Sequence, residues 1–176
     1  MVNYRRNRVP GGTFFFTVTL ADRHSSLLVE HIALLRDTFR DVQSQYPFRV
    51  QAMVVLPDHL HTVWTLPPGD DDFPRRWQVL KSRFTSAVRQ RSVFLAHTAK
   101  GEYRLWQWRY WEHTIDDEND LQRHVGYIHY NPVKHGLVKR VADWPFSSFH
   151  RYVRLGWLNS DWGGTEVKEC EGQFGE

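Results

Sequence analysis

An α+β fold, a ferredoxin-like (RRM-like) antiparallel sheet with helices packed on one face, is what this sequence of 176 residues predicts. Three observations lead to it. Strand-type and helix-type runs alternate in the order strand, helix, strand, strand, helix, strand, helix. The second and third strands are joined tightly at Pro57-Asp58. Apolar residues make up 41% of the chain and aromatics 15%, enough to fill a sizeable core in one ordinary domain.

The elements follow in order. Thr13–Leu20, β-branched and aromatic after the Gly11-Gly12 break, is the first strand. Ser25 or Ser26 can cap a helix through Gln45, with Leu27, Leu28, Ile32, Leu35 and Phe39 on its apolar side, and Pro47 ends it. Phe48–Leu56 and His59–Leu66 are the second and third strands. The loop Pro67–Asp72 leads into a basic helix, Phe73–Arg91, and a looser region extends to Gly101. Tyr103–Ile115, rich in Trp and Tyr, reads as the fourth strand. Asp116-Asp117-Glu118 marks a helix start, since acids suit the N-terminus. Pro132 puts the end of that helix near Asn131, because proline disfavours helix at the residue before it. A short helix near Ser147–Leu155 follows. Residues 1–164 form one domain, and residues 165–176 are an acidic tail with Glu166, Glu169, Glu171 and Glu176 against Lys168.

Composition excludes several classes. No apolar run approaches the ~20 residues that a membrane span needs. Cys170 is the sole cysteine, so a disulfide scaffold and a cysteine zinc site are out, and a reducing cytoplasm fits. No signal-peptide pattern follows Met1–Pro10. The net charge of +3 hides an asymmetry: residues 1–110 hold 16 Lys and Arg against 9 Asp and Glu, and residues 111–176 hold 7 against 11. Arg75, Arg76, Lys81, Arg83, Arg89 and Arg91 share one helix with no acidic residue among them. A solvated helix face is the ordinary meaning of such a run. Six like charges nevertheless repel unless a polyanion neutralises them, and nucleic acid is the natural candidate. Arg75, Arg76, Lys81 and Arg83, with Arg5, Arg6 and Arg8 at the N-terminus, are therefore candidate DNA contacts. Trp106, Trp108 and Trp111 are candidates for stacking on unpaired bases.

The chemistry centres on His59-Leu60-His61. Residues i and i+2 of a strand point the same way, so two imidazoles about 7 Å apart can converge on one cation. On the later helix Leu121, Val125 and Ile128 form a core stripe, and beside it His124, Tyr127 and Asn131 make a polar edge at i, i+3 and i+7. A tyrosine with an amide one turn on, facing a His-x-His, suggests a nucleophile beside a metal. A free phenol has a pKa near 10 and needs help to act as phenolate; a divalent cation polarises a phosphate and orients the leaving oxygen. Asn131 offers a carbonyl oxygen as third ligand. The plainer readings are two strand histidines, a packed Tyr127 and an Asn131 that caps the helix end. Tyr110 and Tyr130 are rival nucleophiles.

These residues carry a resemblance. Val54-Val55-Leu56-Pro57-Asp58-His59-Leu60-His61, Tyr110-Trp111-Glu112-His113, the run from Tyr127 to Val138 and Asp143-Trp144-Pro145-Phe146-Ser147-Ser148 resemble the REP-associated tyrosine transposases, relatives of the single-tyrosine HUH transposases. Tyr4-Arg5-Arg6 and Gly11-Gly12-Thr13 agree, and the likeness spans roughly residues 3–163. It implies a metal-dependent single-strand DNA endonuclease and strand transferase, cytoplasmic and nucleoid-associated. Its substrate would be an imperfect REP hairpin preceded by a short tetranucleotide, attacked by Tyr127 to give a 5′-phosphotyrosine and a 3′-hydroxyl. It further implies that His59, His61 and Asn131 hold Mg2+ or Mn2+, and leans to a monomer. Ligand softness favours manganese or zinc over magnesium at two imidazoles, and manganese is expected to be the better ion in vitro. The rivals are a hairpin-binding protein whose chemistry has lapsed and a metal nuclease using activated water. The acidic tail is expected either to aid solubility or to lie across the basic cleft.

Overall fold

The structure is a computed structural model that describes residues 7–91, 95–97, 101 and 103–163. Arg5, Arg6 and the acidic tail therefore lie outside the described residues. Four strands, β1 (Thr13–Thr19), β2 (Arg49–Val55), β3 (His59–Thr65) and β4 (Trp111–Thr114), form one antiparallel sheet in the order β2-β3-β1-β4. This is the strand order of the expected ferredoxin-like sandwich, with β1 and β3 central.

Alternation along the strands sends side chains to two different cores. Phe14, Phe16 and Val18 of β1 and Leu60 and Trp64 of β3 face α2 (Ile32–Gln45) and α3 (Phe73–Gln90), where Trp64 stacks on Trp77 at 4.2 Å. Phe15 of β1, Val63 of β3 and Ala52 and Val54 of β2 face α4 (Glu118–Lys134), meeting Tyr127 and Ile128. An irregularity between Val50 and Ala52 swaps the face of successive β2 residues and sets this pattern. The expectation of helices on one face thus holds for α2 and α3, while α4 covers the opposite face.

Three expected boundaries differ. The helix expected through Gln45 is broken at His31 into a single turn, α1 (Leu27–Glu30), and α2. Helix α4 continues past Pro132 to Lys134, because proline at that position removes only its own N–H. It then closes with Gly136 at φ 68°, the Leu137 and Gly136 amides donating to Pro132 and Val133 carbonyls. The fourth strand is only Trp111–Thr114: upstream, Trp106 bridges Leu20 and Gln107 N–H donates to Thr19 O, and a bulge separates this bridge from the ladder that resumes at Trp111.

The Asp143–Ser148 segment protects the exposed edge of β2. Val55 N–H donates to Phe146 O, Ser148 N–H to Met53 O and Trp144 Nε1 to Val55 O. Arg151, near the start of α5 (Phe149–Arg154), reaches the Val50 carbonyl at 3.2 Å and also bonds that of Gln51. His129, wholly buried on α4, faces Ser148 Oγ at 2.9 Å; burial above all, then the Arg151 and His150 charges, pushes it down to about 3, so it stays neutral.

Candidate active site

His59 and His61 lie on the face of β3 that α4 covers, 2% and 0% exposed, with ring centroids 5.0 Å apart. Their neighbours fix which nitrogen each presents. His61 Nδ1 sits 2.9 Å from Thr17 Oγ1, its cross-strand partner on β1. His59 Nδ1 sits 2.8 Å from Asp58 Oδ1, and Asp58 is itself bridged by Arg23 at 2.6 Å. Burial alone would raise the Asp58 carboxyl, but the hydrogen bond to His59 and the charges of His59 and Arg23 outweigh it and hold it below its usual range. Both rings are thereby held through Nδ1, so Nε2 is the atom that either could offer to a metal. Anchoring one nitrogen of a histidine ligand in this way is how proteins orient it for a metal.

Helix α4 crosses above the pair. The Tyr127 ring meets His61 at 5.2 Å, and two turns later the ring of His135, just past the helix end, meets His59 at 5.1 Å. Asn131, wholly buried, lies between these two contacts in the helix. The structure therefore brings Tyr127, His59 and His61 to one seam, with Asn131 buried one turn beyond Tyr127 on the same helix, and two imidazoles with an amide oxygen are a donor set that fits a divalent cation. Lys134 Nζ stands 3.4 Å from the Tyr127 hydroxyl and 5.0 Å from the ring centre. Neither Lys134 nor His135 was singled out from the sequence; the i+7 and i+8 spacing from Tyr127 was the available signal.

The rival tyrosines lie elsewhere. Tyr110 packs against Phe16 and Trp77, both at 5.9 Å, on the α2/α3 side of the sheet. Tyr130 is three positions from Tyr127 in a helix whose buried side already holds Tyr127, Ile128 and Asn131, and it is itself half-buried.

A second cluster was missed. His113 Nε2 bonds Asp120 Oδ2 at 2.8 Å, and His124 Nδ1 lies 3.1 Å from Asp120 Oδ1. Its two rings stack nearly parallel, 14° apart at 4.7 Å, so their lone pairs do not converge, and the carboxylate also receives Arg123 and the Asp116 N–H. This is a hydrogen-bonded anchor between β4 and the first turns of α4 rather than a coordination sphere. It sits one turn before Tyr127, where His124 packs on Phe15 at 4.8 Å and Phe15 in turn meets Tyr127 at 6.1 Å. Burial above all lowers the His124 imidazole despite the Asp120 charge beside it.

Of the candidate DNA contacts, Arg76 is corrected. It is 2% exposed and pairs with both oxygens of Asp70 while donating to Pro47 O and Asp72 O. Its acidic partner comes from the loop before the helix, so inspection of the helix alone missed it. Arg75 stays at the surface with a 3.2 Å bond to Gln78, Arg83 bonds Gln45 at 2.5 Å, and Lys81 donates to Gln107 O at 3.1 Å. Arg8 faces Asp71 at 3.6 Å. Among the described residues no helix is long and apolar enough to cross a membrane.

Comparison with known proteins matches this architecture to a family. Residues 13–131 match the family described as Transposase IS200 like. The chain is 48% identical, over 98% of both sequences, to the REP-associated tyrosine transposase of Escherichia coli (strain K12). It is 42% identical to a putative REP-associated tyrosine transposase of Haemophilus influenzae, covering 99% of this chain and all of that one. A solved structure of a REP-associated tyrosine transposase bound to a REP hairpin is 46% identical, with a TM-score of 0.88 over all of this chain and 98% of that one. A sheet that carries paired histidines under a tyrosine-bearing helix, with near-complete coverage at this identity, places the chain among the REP-associated tyrosine transposases of the IS200-like family.

Proposed function

We propose that this enzyme nicks and rejoins single-stranded DNA at REP hairpins, with Tyr127 as its covalent nucleophile. The observation that carries the reading is the Tyr127 ring lying 5.2 Å from His61 on the face where both histidines present Nε2. His59, His61 and Asn131 would hold the divalent ion. When bound, it supplies Lewis-acid polarisation of the scissile phosphate.

The chain's own groups do the rest. Lys134, 3.4 Å from the hydroxyl, sets a positive charge beside the attacking oxygen and the phosphate it would meet. The Tyr127 oxygen attacks phosphorus; the O–P bond to tyrosine forms as the P–O3′ bond breaks, leaving a 3′-hydroxyl and a 5′-phosphotyrosine. A 3′-hydroxyl then reverses the step, so bond energy is conserved and joining needs no ATP. Thr17 and Asp58 orient the imidazoles, and Phe15 packs against both His61 and Tyr127.

The finer assignments belong to the same reading. The substrate is a hairpin with a flanking tetranucleotide, manganese supports cleavage better than magnesium, and the protein works as a monomer in the cytoplasm at the nucleoid. Residues 1–164 are the catalytic domain, with 165–176 an appended tail. Incubating labelled single-stranded hairpins with protein and manganese, then running a denaturing gel, tests it. A covalent protein–DNA adduct is expected. Hairpin binding without an adduct would leave a binding protein, and cleavage that survives Tyr127→Phe would leave a nuclease using activated water.

A further inference from the structure

The eight tryptophans differ in what they touch. Trp64 and Trp77 are core, Trp106 donates to Lys81 O at 3.3 Å and packs on Phe84, and Trp111 stacks on His113. Trp157 is exposed but leans on Tyr152 at 5.1 Å. Trp108 is 78% exposed and makes no ring contact among the described residues. A lone exposed apolar side chain is ordinary by itself. Its setting distinguishes this one.

Trp108 is carried on the 107–110 bulge and forms one wall of a cleft of about 570 Å3 against the first half of α3, a volume within the usual range for small-ligand sites. Arg75, Gln78, Lys81 and Tyr110 line the rest, and Asp72, which caps α3 through the Arg75 N–H, closes one end. The Lys81 ammonium lies 5.3 Å from the Tyr110 ring centre, and Arg75 is exposed. An exposed indole that shares a cleft with two cations is a pairing that single-strand binders use: the base stacks and the phosphate meets the charge.

The cleft lies at the β4 edge of the sheet on its α3 side, the face opposite the Tyr127 seam. Thr17 pairs with His61 on one side and Trp111 on the other, so the bulge begins at the sheet edge two strands from His61.

We propose that the cleft between α3 and the 107–110 bulge binds one unpaired nucleotide flanking the hairpin, its base on Trp108 and its phosphate at Arg75 and Lys81. The inference rests on the DNA-processing reading above. It is tested by measuring affinity of the full chain for a hairpin alone and for the same hairpin with a short single-stranded extension, on the 5′ or the 3′ side in separate oligonucleotides. Trp108→Ala is expected to weaken binding of an extended hairpin by about 5- to 100-fold, the effect of one stacked base, and to leave the bare hairpin unchanged. Trp108→Phe should restore most of the loss. Arg75→Gln should lower the salt dependence of binding by about one phosphate contact. Equal affinities of Trp108→Ala and the native chain for every extended hairpin, or equal losses with and without extension, overturn the inference alone. A native chain that neither binds hairpins nor forms the adduct overturns the functional reading with it.

Discussion

The two faces of the sheet are built from the same strands and have opposite contents. Toward α2 and α3, β1 and β3 contribute Phe14, Phe16, Val18, Leu60 and Trp64, closed by Trp77 and Phe73. Toward α4 the intervening residues are Phe15, Thr17, Thr19, His59, His61 and Val63. One face packs large rings densely, and the other sets polar groups into a buried seam beside a smaller apolar cluster. Burying polar groups costs free energy unless they are bonded, so a domain of this size carries such a seam only against a large apolar core elsewhere. Period-2 alternation lets one strand serve both faces without compromise.

The sharpest way to break this contrast is at the nucleophile. Tyr127→Phe removes one oxygen from the α4 face and should lower cleavage by at least about 10³-fold, while hairpin affinity and melting temperature stay near native. A denaturing gel and a binding titration check it together; a variant that still forms the adduct moves the chemistry to another residue. Next in size is the opposite face. Trp64→Ala, cut from the stack on Trp77 and Phe48, should cost about 3–5 kcal/mol of stability. Its metal affinity, measured well below the midpoint, should hold. If both fall in parallel, the two faces are one cooperative site and the contrast fails.

The histidine anchors sharpen the contrast. Thr17→Val keeps shape and burial but removes the partner of His61 Nδ1. The expected result is a loss of about 10- to 100-fold in manganese affinity, with hairpin binding unaltered, as read by calorimetry with manganese alone. An unchanged manganese affinity would mean that the His61 ring is held by packing on Phe15 rather than by the hydroxyl.

These distinctions were unequally legible in the sequence. The run of elements and the histidine pair could be read because strand and helix periodicities are local, and His59 and His61 keep their i, i+2 spacing whatever surrounds them. The α4 polar edge was equally local. What escaped reading depends on contacts between distant segments. Arg76 looked like a surface cation until Asp70 and the Pro47 carbonyl closed around it. The fourth strand looked continuous because aromatic content marks both strands and bulges, and only pairing with Thr17 and Leu20 separates the two. The role of Asp143–Ser148 as an edge cover was invisible for the same reason, since backbone pairing with Met53 and Val55 leaves no residue signature. His113, Asp120 and His124 escaped because one of the three lies on a different element.

That cluster supplies the smallest test, and it concerns how firmly α4 is held over the seam. Burial by itself would raise the Asp120 carboxyl. The hydrogen bonds from His113 and the Asp116 N–H, with the charges of His124 and His113, outweigh it and keep the group below its ordinary value of 3.8. A carboxyl depressed on folding contributes stability that is fully present above its unfolded pKa and is lost as pH falls through the lowered folded value. Asp120→Asn should therefore cost about 1–2 kcal/mol at neutral pH, and the gap to the native chain should close only in acid, below the ordinary carboxylate range. Urea midpoints of both proteins across pH check this. A gap that stays constant into acid would mean that Asp120 acts through shape alone, and that the tie between β4 and α4 is not electrostatic.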